Sequence, residues 1–302
     1  QVPRGQRVRL YLNDKDQART DNLKTLIEES GWGDQVDITV GCREAEALFH
    51  KLAEKFEGQP RTTRNLIFID PFGYKAIDRR SLEKMLACER TEIILFLPIE
   101  QMYRFRHVAA KENSDPSIAP LKEFLEQFDL DAAAIKSEKE FISVLGCRLT
   151  FDGRYYVSTY SITNHNGRLY GMFFITPHIY GLEKILEVKW SLDKQGGERF
   201  SNSPQPDFVL DLEKEEDLRS QLATFLASER TNKQVYEYIL RAGFRPKQAR
   251  QHLVQWQREG SLLVIDPHLN KPARKGTFKI NWDAYKNEDH SLTLQLKGDS
   301  HE

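Results

Sequence analysis

Leu66-Ile67-Phe68-Ile69-Asp70-Pro71-Phe72-Gly73-Tyr74-Lys75-Ala76-Ile77 runs from an apolar start into an Asp-Pro pair, an aromatic residue and a glycine. Its first four residues form a continuous apolar run. A run this short, apolar on both faces, predicts a central strand of a parallel sheet. Pro71 cannot donate to a continuing ladder, so the strand ends at Asp70. A carboxylate is thereby held at the carboxyl end of a central strand, the edge where open α/β sheets bind ligands. Asp70 has two readings at this point: a functional carboxylate, or the cap of a helix expected over 76–86.

Upstream, residues 7–12 and 36–40 read as strands, each followed by a helical period over 15–30 and 43–56. Downstream, 91–98 is a fourth apolar strand. Strands alternating with helices of this length predict βαβ units and a mostly parallel sheet. Residues 101–148 read as a helical insertion. Two β-rich runs at 154–163 and 168–176 flank Asn164-His165-Asn166-Gly167, a strong hairpin signal. The first domain is therefore expected over 1–194, an α/β body closed by an antiparallel hairpin. Residues 195–217 open on a run rich in Gly, Ser, Asn and Pro and read as a linker.

Residues 218–286 have a different order. A helix is followed by Thr231 as N-cap of a second helix, Gly243 as its stop, and Pro246 in the first turn of a third that ends at Gly260. A strand, a basic loop at 266–276 and a return strand at 277–282 complete a winged helix-turn-helix. Residues 287–302 read as a frayed tail.

Composition narrows the function. The 302 residues are 39% hydrophobic and 29% charged, ordinary for a globular chain, and no apolar stretch is long enough to cross a bilayer. The three cysteines are odd in number and far apart, which argues for a reducing, cytoplasmic setting and against a disulfide framework or a metal cluster. The net charge of −1 conceals a split: residues 230–286 hold twelve Lys and Arg against four Asp and Glu. That local excess points to nucleic acid. On the presumed recognition helix lie Arg245, Lys247, Arg250, Gln251 and Arg258, and on the wing Lys271, Arg274 and Lys275. Helix residues in a major groove with wing residues on phosphates would use this arrangement, with DNA favoured over RNA. The alternative is a basic face that docks a protein.

The strand order and hairpin resemble the class I S-adenosylmethionine methyltransferase fold. There an acidic residue ending a strand binds the cofactor ribose, and Asp14 in the run YLNDKD occupies that place; its other reading is a helix cap. Asn13, Cys42 and Pro71 stand at the same strand ends and join the expected cofactor set. At the next strand end the family carries an acidic residue, where this chain has Gly41-Cys42-Arg43. DPFG resembles the Asp-Pro-Pro-aromatic motif of enzymes that methylate exocyclic amines, with Asp70 to orient the amine and Phe72 to stack on the base. The glycine-rich cofactor loop does not occur in this sequence, and part of the first domain is expected to precede Gln1.

More specifically, YLNDKD, FIDPFGYKAI, TPHIYGLEKILEVKW and RKGTFKINW resemble the three-Cys-motif partner protein family, TcmP. The resemblance implies a methyltransferase-like body with a C-terminal winged helix and a radical-S-adenosylmethionine-like partner that carries the three cysteines. It also implies a phage-defence or mobile-element context. Two functions remain open: a nucleic-acid methyltransferase using S-adenosylmethionine without a metal, or a non-catalytic subunit that recruits a partner enzyme to nucleic acid.

Overall fold

The computed structural model describes residues 7–31, 36–59, 62–71, 74, 76–111, 115–193, 197, 199–201, 210–287 and 291–297. In chain order the first elements are β1 (Arg9–Asp14), α1 (Gln17–Ser30), β2 (Asp37–Cys42), α2 (Ala45–Glu57), β3 (Asn65–Ile69), α3 (Arg79–Ala87) and β4 (Thr91–Leu97). Next come α4 (Ile99–Ala109), α5 (Ala119–Gln127), α6 (Glu138–Arg148), β5 (Tyr156–Thr163), β6 (Leu169–Thr176), α7 (Ile179–Leu192) and β7 (Arg199–Ser201). The last are α8 (Leu210–Leu226), β8 (Arg230–Thr231), α9 (Asn232–Arg241), α10 (Pro246–Glu259), β9 (Leu262–Asp266), β10 (Lys271–Pro272), α11 (Trp282–Lys286) and β11 (Thr293–Leu296). They fall into two compact units, one of residues 1–65, 70–91 and 105–134, the other of 66–69, 92–104 and 135–302.

In the first unit β1 and β2 pair in parallel, with Asn13 opposite Gly41 and Asp14 opposite Cys42. Asp16, not Asp14, caps α1: its side chain accepts the Ala18 and Arg19 N–H groups, and Gly31 ends the helix at φ +67°. Phe49, Ala53 and Phe56 recur at helical spacing on α2 and are buried, and α2 lies against α3. The cap of α3 is Asp78, which accepts from Arg80 and Ser81. The helix expected from residue 76 thus starts at Arg79, and Asp70 does not cap it. Arg79 reaches Gln127 O at 3.3 Å and Asp129 at 3.4 Å, tying α3 to the end of α5.

The second unit holds a five-stranded sheet in the order β3-β4-β6-β5-β7. The expected α/β class holds, but the sheet is mixed, and β3, expected at its centre with both faces covered, stands at the end of the order with Leu66 and Phe68 exposed. β6 runs antiparallel to both β4 and β5, while β5 and β7 are parallel. The cause is the hairpin: reversing the chain after β5 and seating β6 between β4 and β5 makes both of its ladders antiparallel. The turn forms where Asn-Gly placed it. Asn164 Oδ1 accepts the Asn166 and Arg168 N–H groups, and Gly167 takes φ +73°. The three helices foreseen between 101 and 148 form, but α5 belongs to the first unit and α6 packs on β5 in the second.

The TPH-x-x-G segment makes the β6–α7 corner. Thr176 is fully buried, its hydroxyl donates to Glu92 Oε1 at 2.9 Å and it accepts the His178 N–H at 3.1 Å. A Cβ on Gly181 would fall inside contact distance of Glu92 Oε1 and 2.5 Å from Thr176 Oγ1. Glycine is needed there for close approach rather than for backbone freedom.

The C-terminal sheet runs β10-β9-β11-β8. Three boundaries differ from expectation. α8 begins at Leu210, inside the stretch read as linker. The strand expected over 277–282 is absent: Lys279 takes φ +50°, β10 pairs with β9 instead, and α11 starts at Trp282. The expected tail supplies β11, which pairs with both β9 and β8. Leu292 and Leu294 alternate into the core and are 1% and 0% exposed. The apolar cluster is continuous from α7 into this segment, joining Leu186 and Trp190 to Leu218, Ile239, Leu253 and Leu294. Polar anchors reinforce it. Trp190 Nε1 donates to Gly243 O at 3.0 Å, Tyr236 donates to Glu183 at 2.9 Å, and Tyr156 to Glu237 at 3.2 Å. Residues 218–286 therefore share one unit with 135–193.

Candidate functional site

Local sequence places α10. Pro246 occupies the first helical position, Gln248 Oε1 accepts the Arg245 N–H at 2.9 Å, and Gly260 closes the helix at φ +75°. Ala249, Leu253 and Trp256 are buried, so the opposite side of the helix faces solvent. Lys247, Gln251 and Arg258 lie on that exposed side, at spacings of four and seven residues. Beyond β9 the wing turns at Asp266, whose Oδ1 accepts the His268 and Leu269 N–H groups. Lys271, Arg274 and Lys275 follow, all exposed. Among the described residues no ion pair engages any of these five cations.

Two of the expected nucleic-acid residues are occupied elsewhere. The Arg245 guanidinium lies 5.0 Å over the Trp190 ring and its Nε donates to Gln248 at 3.3 Å. Partial burial there pushes its pKa below the ordinary arginine value. Arg250 Nη2 donates to Gly276 O at 2.7 Å, and its guanidinium stands 5.5 Å from the Phe278 ring centroid. Arg250 is exposed, but its donor points at the wing. Gln257 was not anticipated: its Oε1 accepts the Gly276 N–H at 2.7 Å. Only its spacing of seven residues from Arg250, on the same helical side, could have signalled it.

The structure also brings Asn13, Asp14 and Cys42 together at the carboxyl ends of β1 and β2. Asn13 Nδ2 donates to Arg43 O at 2.9 Å, while its Oδ1 is buried and has no hydrogen-bond partner among the described residues. Cys42 Sγ donates to Lys15 O at 3.4 Å. Asp14 Oδ1 accepts the Asp16 N–H at 2.9 Å, and Oδ2 is 3.6 Å from Arg19 Nη1. The Asp16 N–H holds the Asp14 pKa below its ordinary value; burial opposes it, and the Arg19 charge adds a lesser push downward. The Tyr11 hydroxyl lies over Gly41 so closely that a Cβ there would overlap it.

Asp70 is exposed at the end of β3, followed by half-buried Pro71. β3 is in the five-stranded sheet, whereas β1 and β2 form a sheet of their own. No hydrogen bond or ion pair links Asp70 or Pro71 to Asn13, Asp14 or Cys42 among the described residues. Phe72 lies outside the described residues. No cluster of three or more His, Cys, Asp or Glu among the described residues is placed to hold a metal ion.

The chain is thus an α/β protein with a C-terminal winged helix-turn-helix. Residues 198–268 match a family described as the GMT-like wHTH domain. Among solved structures the chain is similar to an O-methyltransferase from Bacillus cereus in complex with SAH. The two share 16% identity at a TM-score of 0.33, over 56% of this chain and 62% of that one, so less than two thirds of the matched protein is spanned. No curated protein matches. No helix among the described residues is long and apolar enough to cross a membrane.

Proposed function

We propose that this chain binds duplex DNA through the face made by α10 and the wing, and so brings the rest of the protein and its associates to nucleic acid. The carrying observation is the set of five exposed cations that have no ion pair among the described residues, Lys247 and Arg258 on α10 and Lys271, Arg274 and Lys275 on the wing. Cations already paired with carboxylates would have to give up those partners to reach phosphate; these have none to give up among the described residues. Their spread over helix and wing suits phosphate contacts more than a single base-reading pair. Each phosphate contact releases a counterion, so log affinity should fall with log salt at roughly −0.9 per contact. Replacing Lys271, Arg274 and Lys275 together with Ala should flatten the slope by up to about 3 units and weaken all duplexes alike. A labelled duplex titrated at several salt concentrations measures this. An unchanged slope refutes the wing contacts and favours docking of an acidic protein on the basic face.

The carboxyl edge of β1 and β2 supports a second reading, S-adenosylmethionine binding with Asp14 on the ribose. The residues present fit a ribose diol. The Asp14 pKa lies below its ordinary value, and its Oδ2 faces Arg19, which is 70% exposed, at 3.6 Å. Such an exposed pair contributes only about 0–1 kcal/mol and is readily exchanged for a ligand hydroxyl. Bound there, the cofactor would supply a transferable methyl group, while Asp14 accepts from the ribose and Asn13 and Cys42 shape the strand ends. Pro71 is proposed with the cofactor set, and Asp70 and Phe72 are the residues proposed for the acceptor side. Membership in the three-Cys-motif partner family, a radical-S-adenosylmethionine-like partner and a phage-defence or mobile-element setting rest on the motif resemblance. Calorimetric titration with S-adenosylmethionine decides the enzymatic reading: the absence of heat at millimolar cofactor leaves the recruiting subunit.

A further inference from the structure

Gly276 is gripped from both sides by α10. Arg250 Nη2 donates to its carbonyl at 2.7 Å, and Gln257 Oε1 accepts its N–H at 2.7 Å. The same glycine, at φ +77°, closes a tight turn in which the Thr277 N–H donates to Arg274 O at 3.0 Å. A third-position glycine with positive φ is what such a turn requires. Arg274 and Lys275 are the first two residues of that turn. Its other end is fixed as well, since the Ala273 N–H donates to Val264 O of β9 at 2.8 Å. The two wing cations therefore sit on a four-residue turn pinned at one end to β9 and at the other to α10.

We infer that Arg250 and Gln257 are positioning residues that clamp the wing to the recognition helix, holding Arg274 and Lys275 ready for phosphate. This rests on the duplex-binding reading and deepens it, because it removes Arg250 from the base-reading set. One of its five N–H donors holds this guanidinium on a backbone carbonyl beside the Phe278 ring, which turns it toward the wing and away from the orientation that pairing with guanine would need. It also assigns Gln257, an uncharged residue, a share in an electrostatic interface. Without the clamp the turn must be ordered at the moment of binding, and the phosphate contacts of Arg274 and Lys275 are the ones lost.

Gln257→Ala tests the clamp because it leaves every charge in place. The full chain is titrated with a labelled duplex across salt concentrations and against duplexes changed one base pair at a time. Hydrogen exchange of residues 266–277 is measured on the free protein. The clamp predicts binding weakened about threefold to tenfold on all duplexes, as expected for loss of one hydrogen bond. It also predicts a slope flattened by up to about 2 units, at 0.9 for each of two contacts, and faster exchange at Gly276 with an unchanged melting temperature. Arg250→Met, which keeps the stem beside Phe278, should flatten the slope by more than the single contact its own charge could make. Salt-dependent binding by the unaltered chain with Gln257→Ala silent, and Arg250→Met shifting preference at one base pair, overturns the clamp and restores Arg250 as a reader. An unaltered chain without salt-dependent binding overturns the duplex reading, and this proposal with it.

Discussion

Gly181→Ala is the substitution where simple propensity and the structure give opposite signs. Replacing glycine by alanine in a helix gains up to about 1 kcal/mol, less in the first turn where Gly181 sits. The new Cβ, however, would overlap Glu92 Oε1 and stand 2.5 Å from Thr176 Oγ1. Thr176 is fully buried and β-branched, so it cannot swing away, and its hydroxyl is committed to Glu92 and to the His178 N–H. Overpacking of this kind costs about 1–3 kcal/mol, and breaking the hydrogen bond to the Glu92 carboxylate costs about 1.5–3 kcal/mol. Partial relaxation prevents both from being lost in full, and the expected net destabilisation is about 1–3 kcal/mol. Urea denaturation followed by tryptophan fluorescence should show a lower midpoint at unchanged slope. Thr176→Ala in the same background frees space for the Cβ, so the double variant should lose less than the two single losses added. A Gly181→Ala protein as stable as the parent, or more so, refutes the close-approach account of the TPH-x-x-G segment.

Burial raises the pKa of Glu183, with the Tyr236 hydroxyl and Lys184 opposing the rise. The folded chain therefore holds that proton more tightly than the unfolded chain, and stability falls as pH rises from the ordinary 4.5 to the folded value. Glu183→Gln mimics the protonated form, so its stability advantage over the parent should grow across that window and then level off in denaturation curves at stepped pH; an advantage that shrinks with pH refutes the sign. Tyr236→Phe should cost about 1–3 kcal/mol by the same assay, because it strips a half-buried carboxylate of its donor. Asp78→Ala should cost about 0.5–2 kcal/mol as the true cap of α3, while Asp70→Ala should stay within about 0.5 kcal/mol as an exposed residue. Equal losses at the two positions would return Asp70 to a structural role.

The predictions at Gly181, Glu183 and Tyr236 depend on side-chain partners far apart in sequence, which marks where the reading of the sequence stopped. Features set within four residues were legible. Thr231 and Gln234 form a reciprocal capping box, Pro246 opens α10, Gly260 ends it, and Asn164 to Gly167 turn the hairpin. Asp70 and Asp14 were harder, because each precedes a helix and each could have been its cap. The neighbouring Asp78 and Asp16 won because a cap must stand two or three residues before the N–H groups it accepts.

Strand and helix alternation, the winged-helix order and the basic bias of residues 230–286 were set in the sequence, because apolar periodicity, caps and charge are local or compositional. Which neighbours completed them depended on the three-dimensional packing. β11 exists because Leu292 and Leu294 find the core and because buried Asn232 accepts the Leu292 N–H and donates to Lys279 O. The segment holding those leucines was too short and too polar in its flanks to be read as a strand. Arg245 and Arg250 were indistinguishable from Lys247 and Arg258 as cations on one helix. What separates them is that Trp190 and Gly276, 55 and 26 residues away, lie within reach of the first pair. A long side chain takes the nearest acceptor or ring that the fold supplies, and no local rule states which one that will be.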